Sequence, residues 1–236
     1  MSARHLSCLE TGKAQPSREM VLQLARVLEL DLRERNALLA GAGFAGIYQS
    51  TPLDSVAMAP VSRAIEFLLA QQEPYAALLI DRCWNVLRVN DGARRLLGSF
   101  LDPSKVPSAV AQSLVRAALH PEGLRPHVVN WADMAALVLE RLERAHHAHP
   151  ADKDRRALLD EVRAYPGVAG LARSAPHGGV PVAMLHLRHP HGDLRFFTLL
   201  TSIGTPLDVT AEGLTVESLF PADDATERWV MKQAEP

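Results

Sequence analysis

The chain holds only two cysteines in 236 residues, Cys8 and Cys83. Two thiols this far apart exclude a disulfide framework and a zinc finger. Long apolar runs are missing as well. No stretch reaches the roughly 18 residues that a membrane span needs, and no secretory leader is read. These absences point to the cytoplasm and away from membranes. Charge of one sign is also lacking: a net charge of −2 excludes broad, nonspecific nucleic-acid binding. Any DNA contact then has to come from a local basic patch. No Gly-x-Ser-x-Gly elbow is present, and the Gly-rich stretch His177-Gly178-Gly179 is not followed by Lys-Ser/Thr, so it is not a phosphate loop. An enzyme is therefore not expected. The histidine groups His146/His147/His149 and His186/His189/His191 lack metal-ligand spacing with a supporting carboxylate or thiolate, and neither a metal nor a cofactor is expected.

What is present is a globular mixture, 47% hydrophobic and 22% charged, long enough to bury a core in one or two domains. Residues 1–47 read as three short helices. The first runs from Arg4 to Glu10 and is stopped by Gly12 as a left-handed residue. Ser17 caps the second, with Glu19 in its first turn and Val21, Leu24, Ala25 and Leu28 along one face. Asp31 caps the third, which carries Leu32, Leu38 and Leu39 and ends at Gly41 and Gly43. Ser7, Leu9, Glu10, Gly12, Pro16 and Ser17 stand where the second half of an Xre-type helix-turn-helix has matching residues, and the run from Ser2 to Ser17 resembles it. The segment Leu38-Leu39-Ala40-Gly41-Ala42-Gly43-Phe44 resembles the end of such domains. The two helices that ordinarily precede this run are not in the sequence as it stands. Residues 1–47 are thus expected to be a partial DNA-binding domain.

Residues 48–60, polar and carrying Pro52 and Pro60, read as a linker. Over 61–236 the pattern changes to mixed α and β. A helix over 61–72 shows Val61, Ile65, Leu68 and Leu69 on one face and stops at Glu73-Pro74. Strands are expected over 76–80 and 84–89 around a turn at Asp81-Arg82, then a helix capped at Asn90-Asp91. A long helix from Trp131 to about His147 carries Trp131, Met134, Ala135, Val138, Leu142 and Ala145 on one stripe. Another spans 153–164. Strands over 182–188 and 194–200 meet at a His189-Pro190-His191-Gly192 hairpin. A further strand over 214–220 and a short capped helix from Asp224 to Met231 follow.

The succession of apolar strand, Asp turn, strand, Asn and helix is similar to the opening of PAS-like sensor domains. With the central block His120-Pro121-Glu122-Gly123-Leu124-Arg125-Pro126 and Asn130-Trp131, the chain from Arg4 to about Trp229 resembles the MmyB-like transcription regulators. That resemblance implies an α+β protein: a partial all-α helix-turn-helix segment, then a PAS-like antiparallel sheet flanked by helices. It also implies a ligand-responsive regulator whose effector is small, apolar and fatty-acid-like. The alternative is a PAS-like small-molecule-binding protein that has lost DNA binding.

DNA contacts are expected from Ser2, Arg4, His5, Ser7, Lys13 and Arg18. They are expected to be weak, because few cations reach phosphate and the recognition helix lacks its buttress. Paired half-sites call for a homodimer. Phe67, Trp84, Leu87, Trp131, Met134 and Phe196 are expected to line the ligand pocket. A guanidinium, from Arg88 or Arg125, is expected to meet a carboxylate bidentately.

Overall fold

A computed structural model describes residues 3–102, 104–171 and 182–235, with side chains from Ser7 onward. Its helices open with α1 (Ala3–Glu10), α2 (Arg18–Val27), α3 (Leu32–Gly41) and α4 (Ala59–Gln71). Strands β1 (Ala77–Ile80) and β2 (Val86–Val89) come next, followed by α5 (Asp91–Gly98), α6 (Ser108–Ala111) and α7 (Leu114–Leu119). The long α8 (Trp131–Ala148) and α9 (Lys153–Arg163) precede β3 (Met184–Leu187) and β4 (Leu194–Ser202). The chain closes with α10 (Val209–Glu212), β5 (Thr215–Pro221) and α11 (Asp224–Ala234). Two compact units emerge: residues up to Val61 with Ile203–Gly213, and Ser62–Ser202 with Leu214 onward.

In the first unit, local chemistry sets each helix end. Gly12 takes the left-handed conformation after α1, with φ of 68°, which glycine adopts at no steric cost. The Ser17 hydroxyl accepts from Met20 N–H at 3.3 Å and starts α2. Asp31 and Glu34 form a reciprocal capping box on α3, with bonds of 2.7 and 3.3 Å, satisfying two of the helix's orphan donors. Val21, Ala25, Leu32 and Leu39 are buried, whereas Leu28 is 61% exposed. Leu28 is the C-cap of α2, where the helical stripe has ended. Residues 48–60 are tied down within this unit rather than left loose. Asn36 Oδ1 accepts from the Ile47 and Tyr48 amides. Asp208 caps α10 through Thr210 N–H and also accepts from the Thr51 hydroxyl at 2.6 Å.

The second unit is built on a five-stranded antiparallel sheet in the order β2-β1-β5-β4-β3. Strand β1 is the continuous apolar run Ala-Leu-Leu-Ile and is buried at every residue, as a strand covered on both faces must be. β5, last in the chain, lies at the centre and joins β1 to β4, with Leu79 opposite Val216 and Leu199 opposite Ser218. The expected strand 84–89 begins only at Val86. Asp81 Oδ1 accepts from Cys83 and Asn85 N–H at 2.8 and 2.9 Å, and this turn holds Trp84 in the left-handed region, φ 56°. One apolar core joins the sheet to α5 and α11 around Leu78, Leu96, Phe196 and Val230. A second joins α7, α8 and α9 around Leu119, Leu139, Leu158 and Val162. Trp84 packs against both.

Candidate functional site

Between one face of the sheet and α8 lies a partly enclosed, mostly apolar cavity of about 270 Å³. Strands alternate their side chains across the sheet, so one face presents Leu78 of β1, Leu185 and Leu187 of β3, Thr198 of β4, and Glu217 and Leu219 of β5. Opposite them α8 presents Trp131, Met134, Val138 and Arg141, one helical stripe three and four residues apart. Leu96 and Leu97 of α5, Phe100, and Leu114 and Ala118 of α7 close the sides. Arg144 also borders the cavity and pairs weakly with Glu140 at 4.0 Å.

The polar groups are few and concentrated. Arg141 lies with its guanidinium 5.9 Å from the Trp84 ring centroid. Glu217 is 7% exposed, and among the described residues its Oε2 has no hydrogen-bond partner. Burial pushes the Glu217 carboxyl above the usual carboxylate range, with Arg141 and the Thr198 hydroxyl pulling the other way. An apolar chamber with a cation and a carboxyl at one place can hold an elongated molecule by its tail and orient it by its head.

Three of the residues singled out from the sequence, Trp84, Trp131 and Met134, come together in this cavity. The others lie elsewhere. Phe67 is 64% exposed. It stands two residues beyond the buried Ile65, about 200° round the helix. Leu87, 43% exposed, lies with Arg88 in a shallow groove between α4 and β2. Arg88 is engaged there by the Ser62 hydroxyl at 2.6 Å and Glu66 at 3.1 Å. Arg125 stacks on the Trp131 ring, 3.8 Å from its centroid, and donates to the Pro166 carbonyl. Phe196 shares the cavity face of the sheet but is buried at its other end, against Trp229 and Val230.

Sequence reasoning missed Arg141 and Glu217, and each left a trace. Arg141 interrupts the apolar stripe of Met134 and Val138, and Glu217 falls among Leu214, Val216, Leu219 and Phe220. A charge in such a place is costly unless something answers it.

Of the residues expected to contact DNA, Ser7, Lys13 and Arg18 are exposed. Ser2 lies outside the described residues, as do the side chains of Arg4 and His5 and the stretch His177-Gly178-Gly179. Of the histidines noted in the sequence, His186 pairs with Asp193 at 2.8 Å, and the His189 ring packs edge-on against Phe100 and Trp229. Among the described residues no helix is long and apolar enough to cross a membrane.

Residues 61–232 match the family described as MmyB-like transcription regulator ligand binding domain. No curated protein matches the chain.

Proposed function

The chain belongs to the MmyB-like transcription regulator ligand-binding domain family, and on that premise we propose that it is a ligand-responsive transcription regulator whose sheet unit binds a fatty-acid-like effector. The observation that carries this reading is the partly enclosed cavity between the sheet and α8, mostly apolar with Arg141 among its few polar groups. Its volume lies just below the roughly 300–1,000 Å³ usual for small-molecule sites, which favours a single medium-length acyl chain. Each buried methylene contributes about 0.8 kcal/mol, so one charge-assisted anchor is enough for selective binding. Trp84, Trp131 and Met134 make up part of the wall in this reading. Phe67, Leu87, Arg88, Arg125 and Phe196 have no contact with the acyl chain.

DNA contact is proposed through the α1–α2 region, where the exposed Ser7, Lys13 and Arg18 add to Ser2, Arg4 and His5. With so few cations it is weak and strongly salt-dependent. Reading of paired half-sites makes the working form a homodimer in the cytoplasm.

Native mass spectrometry and thermal shift with a series of saturated fatty acids test the ligand. An acid present at about 100 times its Kd adds roughly 2.7 kcal/mol of stability, a rise on the order of 5–10 °C for a unit of this size. Val138→Trp, which fills the cavity, should abolish that rise. No stabilisation by any chain length would refute the fatty-acid reading. Fluorescence anisotropy with operator DNA, with and without the acid, tests regulation. Acid binding without any DNA binding would leave an effector-binding protein that acts through a partner.

A further inference from the structure

Glu217 sits in mid-strand with Leu78 of β1 and Leu200 of β4 directly opposite on either side. It points into the cavity, and among the described residues its Oε2 meets no donor. An apolar side chain would serve the sheet better, because a buried carboxylate without a full set of partners is strongly unfavourable. Among the described residues, the charged groups facing it are Arg141 and Arg144, both of α8. Every residue that β1, β3, β4, α5 and α7 contribute to the cavity is uncharged. Arg141 attracts the carboxyl through space without bonding to Oε2.

Resting on the fatty-acid reading above, we propose that Glu217 is the proton-bearing half of a head-group site. It enters the complex as the neutral acid and donates its O–H to one oxygen of the ligand carboxylate, while Arg141 pairs with the other. Charge decides this arrangement. Arg144 is 73% exposed and its charge is answered by Glu140 and water, so within the chamber the ligand carboxylate, Arg141 and neutral Glu217 sum to zero, whereas an ionised Glu217 leaves two carboxylates against one guanidinium. The proton comes from solvent, up to one for each acid bound, and it forms the strong kind of hydrogen bond between a carboxyl and a carboxylate. An alcohol of equal length gives Arg141 no charge to pair with, and an amine sets a second cation beside it. The site is thereby selective for acids, and its affinity depends on pH through a protein group rather than through the ligand.

Isothermal titration of the full chain with decanoic acid, between about pH 6 and 8.5 and in two buffers of different ionisation enthalpy, reads the proton directly. The expected result is net proton uptake, with affinity falling toward the alkaline end by up to about tenfold per pH unit. Glu217→Gln should abolish the uptake and flatten the pH profile, and it should bind decanoate more tightly than the native chain at the alkaline end. Should that variant not fold, the two-buffer proton count on the native chain decides alone. Decanoate binding with no proton uptake and a flat profile would overturn the proposal while leaving the fatty-acid reading standing. Tighter binding of decylamine than of decanoate would overturn it too. Binding of none of decanoic acid, decanol, decanamide and decylamine would overturn both.

Discussion

Asn90 is the residue whose loss should be felt most in the sheet unit. Its side chain is buried and makes four hydrogen bonds. Oδ1 accepts from Ala77 N–H at 2.9 Å and Ala93 N–H at 2.8 Å, while Nδ2 donates to the carbonyls of Leu69 at 3.2 Å and Tyr75 at 2.8 Å. One amide thus fastens the end of α4, the start of β1 and the N-terminus of α5 above the cavity. Asn90→Ala removes the cap of α5, about 1 kcal/mol. It also leaves the fully buried Ala77 amide without an acceptor, about 1–3 kcal/mol, and two carbonyls short of a donor. The sum is roughly 3–5 kcal/mol, a large share of a typical stability of about 5–15 kcal/mol. Thermal unfolding followed by circular dichroism should fall on the order of 10 °C, with a matching drop in the urea midpoint.

Two companion variants make the reasoning sharper. Asn90→Asp keeps both accepted bonds but turns a second oxygen toward the Leu69 and Tyr75 carbonyls, so it should be nearly as damaging as alanine. Asn90→Ser restores only the cap on Ala93 and should recover about 1 kcal/mol. An aspartate variant as stable as the native chain, or an alanine variant losing less than about 1 kcal/mol, would refute this account of the junction.

Three further outcomes are expected. Gly123→Ala would place a Cβ 2.2 Å from the Ala117 carbonyl oxygen, which already accepts from Leu124 N–H at 2.7 Å; urea denaturation should show a loss of about 2 kcal/mol or more, since backbone on both sides cannot easily give. Arg125→Met removes the stack on Trp131 and the bond to Pro166, and should lower stability by about 1–2 kcal/mol while decanoate affinity, measured by titration calorimetry, stays unchanged. The Arg116 guanidinium, paired with Glu161 at 2.8 and 2.7 Å, holds the Glu161 carboxyl below its ordinary 4.5. A depressed acid contributes stability above its unfolded value and loses it as pH falls through the folded one. Urea midpoints should therefore decline below about pH 4.5, and Arg116→Gln should flatten that decline; an unchanged acid limb in the variant would count against the pair.

Helix starts were written into the chain itself. Ser17, Asp31, Asn90 and Asp152 each cap a helix with their own side chains, because capping acts within three residues and needs nothing from elsewhere. The strands 77–80, 184–187 and 194–202 likewise follow from alternation, apolar runs and a hairpin turn. The same patterns, with the resemblance, pointed to an α+β protein with a PAS-like antiparallel sheet. The central position of β5 was beyond local pattern, since pairing with β1 joins segments far apart in the chain and only the closed sheet selects it. Which large side chains meet was beyond it too. Phe67 and Trp131 are both large and apolar on helices, yet helical phase turns one outward and the other into the cavity. Periodicity told which face of an element is apolar, and so found Trp131 and Met134. Only tertiary packing brought Arg141 of α8 and Glu217 of β5 to the same chamber, because a charge in an apolar stripe acquires its meaning from what faces it.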